Sequence, residues 1–103
     1  KMADSPVVFK NEMLTQLNIV APHIEKLLVE GNRDGSISVK YPKQTAQVIS
    51  LLVSSWLSSF AFDVPYTEYS DKVLFLEQLG DVLGVPFMDE EMKSLFLEIG
   101  KQE

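Results

Sequence analysis

The sequence predicts an all-α protein, an antiparallel bundle of four to five helices. Apolar residues recur every three or four positions over long stretches, which is the spacing of one face of a helix. Between Gln44 and Phe62 the chain carries no charged side chain, although 23% of all its residues are charged. A helix without a charged face does not suit the surface of a small protein, so we expect its own domain, a partner or lipid to surround it.

The length and charge of the chain narrow its class. The 103 residues are enough for one domain, so we expect residues 1–103 to form a single helical domain. The net charge of −6 argues against direct DNA binding, which depends on neutralising phosphates. The absence of cysteine excludes disulfides and is compatible with the cytoplasm. Because the sequence begins with Lys1, we expect it to be a fragment of a longer protein.

Ser5 and Pro6 predict the start of the first helix, since a hydroxyl cap followed by proline suits a helix N-terminus. Pro22 falls opposite the apolar face of this helix. Because an internal proline removes a hydrogen bond, we expect a kink, or two helices that meet near residues 19–22. Gly31 is predicted to end the helix. The apolar face consists of Phe9, Met13, Leu17, Val20, Ile24, Leu27 and Leu28.

Residues 31–41 are predicted to form a connector, with a turn at Asp34-Gly35 and a short extended piece at Ile37–Val39. Pro42 then begins the uncharged helix, over about residues 42–62. Five serines, three of them one turn apart at positions 50, 54 and 58, make this helix too polar for a membrane span and favour protein around it. The serines serve either close helix packing or the wall of a pocket, and both interpretations stay open.

Two further helices are predicted, over about residues 68–83 and from Asp89 to about Ile99. Thr67 or Ser70 is expected to cap the first of them and Gly84 to end it. Its apolar residues cover about half its circumference, more than the stripe of roughly 100° that one core requires. We therefore expect a second copy against one side, in a symmetric four-helix bundle. Core packing alone is the alternative for the last helix. The residues expected at the interface are Phe75, Leu79, Val82, Met92, Leu95, Phe96 and Ile99.

The sequence offers no catalytic constellation. It contains no nucleophile–base pair, phosphate loop or dinucleotide-binding glycine motif, so we expect no enzyme. His23 is the only histidine and is expected on the surface, and one histidine without cysteine argues against a tight zinc site. We expect no metal and no cofactor.

The segment LLVEGNRDGSISVKYPKQTAQVISLL resembles the C-terminal domain of TetR-family transcriptional regulators. It combines a helix ending in glycine, a G-x-x-x-G turn at Gly31 and Gly35, an extended piece at Ile37–Val39 and a proline-initiated helix with Ala46 near its start. The segment FLEQLGDVLG, residues 75–84, is also similar to that family. The resemblance covers about residues 5–100.

This resemblance implies a domain that binds a small effector and forms a homodimer through its last two helices. Operator DNA would be read by a helix-turn-helix domain absent from this sequence, under control of the effector. The effector pocket would lie between the first helix and the uncharged helix, which favours a hydrophobic or neutral effector. The residues expected to line it are Phe9, Met13, Leu17, Trp56 and Phe60, with Tyr66 and Tyr69 near its mouth. The alternative is a free-standing helical module that binds a protein partner.

Overall fold

The computed structural model describes residues 5–57 and 64–101, and in these ranges the protein is all-α with no strand, as predicted. The chain divides into two compact units, the first up to Asp63 and the second from Val64. The single-domain organisation stays a prediction. The α-helices are α1 (Pro6–Thr15), α2 (Ala21–Asp34), α3 (Pro42–Leu51), α4 (Tyr66–Leu83) and α5 (Glu90–Lys101), and π-helical segments cover Gln16–Val20 and Leu52–Trp56.

In the first unit, α1, the first π segment and α2 run as one continuous helix. The Ser5 hydroxyl accepts the Val8 amide at 3.4 Å, and Pro6 is the first helical residue, as predicted. The register changes over residues 16–21, immediately before Pro22, where the sequence predicts a break. The wider π turn accommodates a proline that cannot donate a hydrogen bond. It also shifts the inner face, so that Leu28 is buried while Leu27 points outward.

The prediction that Gly31 ends this helix is wrong, because α2 continues to Asp34 and Gly35 is its cap, with φ of 85°. A residue in this left-handed conformation is most easily glycine. Gly31 lies buried inside the helix instead. A Cβ added there would sit 2.7 Å from Cγ1 of Ile37, so the glycine makes room for the returning connector.

The connector after α2 is held by side-chain hydrogen bonds to its backbone. The Asn32 amide donates to the Val39 carbonyl at 2.9 Å, and its oxygen accepts the Val39 amide at 2.8 Å. One side chain thus pairs the predicted extended piece without a partner strand. Hydrogen bonds from the hydroxyl and the amide of Ser36 hold the pKa of the exposed Asp34 carboxyl below its ordinary value.

Pro42 begins α3 as predicted, and the helix packs along α2 and along the first π segment. It buries Ala46, Ile49 and Ser50, which lie on one face. The expectation that its own domain and a partner, or lipid, surround the uncharged helix stays a prediction, because the single chain shows only what its own residues cover over 44–56. The outer side of the helix is open, and Val48 is 47% exposed. Residues 58–63, where the rest of the uncharged segment falls, lie outside the described ranges.

In the second unit, α4 starts at Tyr66 after Pro65, without a side-chain cap. The predicted cap at Thr67 or Ser70 is wrong, because both residues lie inside the helix, and the Ser70 hydroxyl donates back to the Thr67 carbonyl. Gly84 ends α4 as predicted, with φ of 77°. The amide of the next residue, Val85, returns to the Gly80 carbonyl at 2.9 Å, which closes the helix end.

The last helix packs antiparallel against α4. Asp89 caps α5 as predicted and accepts the Met92 amide at 2.9 Å. Near the other end of the pair, the Tyr69 hydroxyl donates to the Phe96 carbonyl at 2.9 Å, and the Tyr69 ring covers Gly100. Between these two points lies the core of the unit, formed by the buried side chains Val73, Leu76, Val85 and Met88.

Candidate dimer interface and candidate ligand face

Helix α4 carries two apolar faces, and only one of them is buried. The buried face consists of Tyr69, Lys72, Val73, Leu76 and Gly80. The other consists of Phe75, Leu79 and Val82, which fall within about 60° of one another at 3.6 residues per turn. In the single chain Phe75 is 51% exposed and Val82 is 82% exposed, while Leu79 is half-buried. The surplus of apolar residues predicted on this helix is therefore present, and its outer part is uncovered.

Helix α5 likewise leaves an apolar stripe open. Leu95 is 52% exposed, and Met92 and Ile99 are also exposed. Phe96 is half-buried at the inner edge of the stripe, next to the contact between its carbonyl and Tyr69. No residue of α5 is fully buried, so this helix contributes more apolar surface outward than one core would require.

An ion-pair cluster shows which sides of the two helices correspond. Lys93 lies 3.0 Å from Glu77 of α4 and 2.8 Å from Glu90 of α5. The hydrogen bonds that Lys93 donates to the carboxylates, first of all that to Glu90, raise the pKa of the Lys93 ammonium, and Lys93 in turn lowers the pKa of Glu90. The Lys93–Glu90 pair is exposed at Glu90 and contributes little stability, whereas the Lys93–Glu77 pair is partly buried. Together they mark one side of the α4–α5 hairpin as polar.

Both open apolar stripes lie on the side opposite this cluster. In a view along the axis of α4, Glu77 lies to one side of the direction that points toward α5, and the apolar stripe lies to the other side. On the antiparallel α5, the direction toward α4 likewise separates Glu90 from the apolar stripe, and Glu90 lies on the same side of the hairpin as Glu77. The two stripes therefore adjoin and form one surface, here called the outer α4–α5 face. It consists of Phe75, Leu79, Val82, Met92, Leu95 and Ile99, with Phe96 at its centre.

The outer α4–α5 face is large for a surface patch. About half of each of five large apolar side chains is exposed, which amounts to roughly 500 Å², at the upper end of the patches of ordinary monomers. Specific protein interfaces bury about 800 Å² on each partner, so with its polar surroundings this patch has the size of an interface.

The candidate ligand residues of the first unit lie on α1, on the first π segment and at the end of the second π segment. Phe9, Met13 and Leu17 recur at successive turns and are half-buried, and Trp56, the last residue of the second π segment, is also half-buried. They are less enclosed than Ala46 or Ile49 further along α3. Residues at this intermediate level of burial can reach a ligand without breaking the core.

A hydrogen bond between Ser50 and Gln16 fixes how the first helix and the uncharged helix are aligned along their length. The Ser50 hydroxyl donates to Oε1 of Gln16 at 2.9 Å. From this point α1 runs back to Phe9 over roughly 10 Å, and the uncharged helix runs on to Trp56 over roughly 9 Å. Because the two helices are antiparallel, Phe9 and Trp56 lie at similar distances along the helices from this hydrogen bond, and Met13 lies about one turn nearer to it.

Two polar features of this region are not among the features predicted from the sequence. The Gln16 amide donates onward to Oε1 of Glu12 at 3.1 Å, so a polar chain runs from buried Ser50 to a half-buried carboxylate. The Ser55 hydroxyl is buried and has no hydrogen-bond partner, whereas Ser54 bonds back to the Ser50 carbonyl at 2.7 Å. The signal in the sequence is Gln16, a polar residue within the inner face between Met13 and Val20.

The other residues singled out in the sequence are Phe60, Tyr66 and His23. Phe60 lies outside the described residues. Tyr66 belongs to the second unit, is 37% exposed and stacks on Tyr69 with 6.3 Å between ring centroids. His23 is exposed, as predicted.

The described ranges also bear on metal binding and on membrane insertion. In residues 5–57 and 64–101, no three His, Cys, Asp or Glu side chains come together in a way that could hold a metal ion. The helices in the same ranges include none that combines the length and the hydrophobicity needed to cross a bilayer.

Comparison with protein-family models, with curated proteins and with solved structures finds no match to this chain.

Proposed function

We propose that this chain is the effector-binding and dimerisation domain of a TetR-type transcriptional repressor that acts in the cytoplasm. The observation that carries the proposal is the outer α4–α5 face, where two adjacent helices of the second unit expose apolar stripes on the same side. The resemblance of residues 5–100 to that family supplies the regulatory role. Operator binding would belong to a helix-turn-helix domain outside these 103 residues.

A second copy of the chain is the occupant that fits this face best. Each copy would present two antiparallel helices, and a two-fold axis would join them into a four-helix bundle that uses the same face twice. Phe75, Val82 and Leu95 are the most exposed large side chains of the face, and they would lose the most water. Burial of this apolar area would drive the association.

The effector would bind in the first unit, against Phe9, Met13 and Trp56. These side chains are apolar or aromatic and half-buried, which suits a hydrophobic or neutral compound. The Glu12 carboxylate at the edge of the group can accept a hydrogen bond from a polar substituent. Binding would shift α1 relative to the uncharged helix, and this shift would reach the DNA-binding domain.

The effector site can be tested with Nile red, a neutral hydrophobic dye, and with the fluorescence of Trp56, the only tryptophan. Nile red emission should rise on binding, and a panel of neutral hydrophobic compounds should displace it. Met13→Asp should weaken dye binding at least tenfold. Its control is Leu14→Asp, which adds the same charge at a neighbouring exposed residue and should change little. Equal binding by both variants, with circular dichroism unchanged, would place any site elsewhere.

A second candidate function is a module that binds a different protein through the same face. Acidic residues along the edges of the face favour it, because they would attract a partner helix with basic flanks. Such a module would remain monomeric alone, whereas the proposed repressor domain would not.

A further inference from the structure

The outer α4–α5 face has an acidic border. On α4 the exposed residue Glu68 lies in line with Phe75, two turns earlier, and the exposed Asp71 lies one turn before Phe75. On α5 the exposed residues Glu91 and Glu98 lie beside the stripe, on the side of Leu95 that faces away from α4. Four carboxylates thus surround the apolar residues of a single copy.

The lysines of the second unit do not balance this border. Lys72 lies two turns before Leu79, at the boundary between the face and the core side of α4, and is buried there. Lys93 belongs to the ion-pair cluster on the opposite side of the hairpin, and Lys101 lies about half a turn from Met92, away from the face. In the described part of the second unit, no exposed cation stands on the edge of the face.

We propose that this border makes dimerisation conditional on ionic screening, so that two copies associate more tightly as the salt concentration rises. The inference rests on the proposed dimer. In a two-fold dimer the same border is used twice, so association brings the carboxylates of one copy nearer to those of the other. Apolar burial then drives association and the like charges oppose it. Salt therefore strengthens this interface, whereas it weakens an interface joined by opposite charges.

The repulsion acts over distances that salt controls. The Debye length falls from about 10 Å at 0.1 M salt to about 3 Å at 1 M, which removes most of the interaction between exposed charges on facing borders. We expect the dimer dissociation constant to fall by roughly three- to tenfold over this range, since several weak pairwise repulsions are screened together.

The experiment is sedimentation equilibrium of the full 103-residue chain in sodium chloride from 0.1 to 1 M, for three proteins. The test variant is Glu91→Gln/Glu98→Gln, which removes two border charges. The control is Asp81→Asn/Glu90→Gln, which makes the same change in net charge at exposed residues of the second unit that lie away from the face. The residual salt response of the test variant combines the screening of Glu68 and Asp71 with the general strengthening of apolar contacts by salt.

We expect the test variant to dimerise more tightly than the wild type at 0.1 M salt, and its dissociation constant to change less with salt. The dissociation constant of the control should change with salt as that of the wild type does. A wild-type dimer whose affinity is constant or falls with salt would overturn the inference and leave the dimer itself standing. Equal behaviour of the test and control variants would also overturn it. A chain that is monomeric at every salt concentration would overturn both the inference and the dimer.

Discussion

The substitution Val82→Ala tests the outer α4–α5 face without disturbing the fold. Val82 is 82% exposed in the single chain, so its methyl groups contribute little to the core of the second unit. Alanine is also a better helix former than valine. We therefore expect the unfolding free energy of the monomer to stay the same or to rise slightly, while dimerisation weakens.

The size of the effect follows from the exposed fraction. Replacing valine by alanine removes two methyl groups, worth about 1.6 kcal/mol when fully buried at about 0.8 kcal/mol each. Scaled by the 82% that association would newly cover, this gives about 1.3 kcal/mol for one copy and about 2.6 kcal/mol for the two copies. The dimer dissociation constant should rise roughly 50- to 100-fold.

Sedimentation equilibrium over a wide range of protein concentration measures this dissociation constant. Urea unfolding at protein concentrations below the dissociation constant measures the stability of the monomer. Leu74→Ala is the matched control, because Leu74 is 45% exposed on the same helix but points away from the face. It should change the dissociation constant less than threefold. A Val82→Ala protein that dimerises like the wild type, or a Leu74→Ala protein that loses its dimer, would refute the assignment of faces.

Two further predictions concern the fold of each unit. Asn32→Ala should lower the unfolding free energy by about 1–3 kcal/mol in urea, because it removes both hydrogen bonds to Val39, whereas alanine at the neighbouring exposed Arg33 should cost little. Gly80→Ala should destabilise the second unit, although alanine favours helix, because the added Cβ would lie 2.8 Å from the Val85 carbonyl oxygen. If the urea midpoint of either variant were unchanged, the contact described for the substituted residue would be contradicted.

Most helix boundaries could be predicted because they depend on local chemistry. Pro42 begins a helix and Asp89 caps one wherever the surrounding pattern is helical, and Gly84 ends one in the left-handed conformation. Gly31 and Gly35 could not be told apart in this way. The choice between them depends on Ile37, which returns from the connector and packs on Gly31, and this is a tertiary contact.

The same distinction applies to the candidate sites. The excess of apolar residues on α4 is visible in the sequence, because helical periodicity alone shows that Phe75 and Leu76 face different directions. That the stripes of α4 and α5 adjoin depends on how α5 is rotated about its axis. Tyr69 against Gly100 and Lys93 with Glu77 set that rotation, and neither contact could be inferred from spacing.

The interior of the first unit was the least predictable part. The Ser50–Gln16 hydrogen bond joins residues 34 positions apart, and it depends on the register change of the first π segment. A regular helix would present its inner face in a slightly different direction, as the outward position of Leu27 shows.

The most direct test of the account is the mass of the wild-type chain in solution. Sedimentation equilibrium at tens of micromolar protein and moderate salt should give twice the chain mass of 11.6 kDa, and the same experiment on a Leu79→Glu variant should give 11.6 kDa. A wild-type chain that stays at 11.6 kDa as concentration and salt are raised would contradict self-association through α4 and α5.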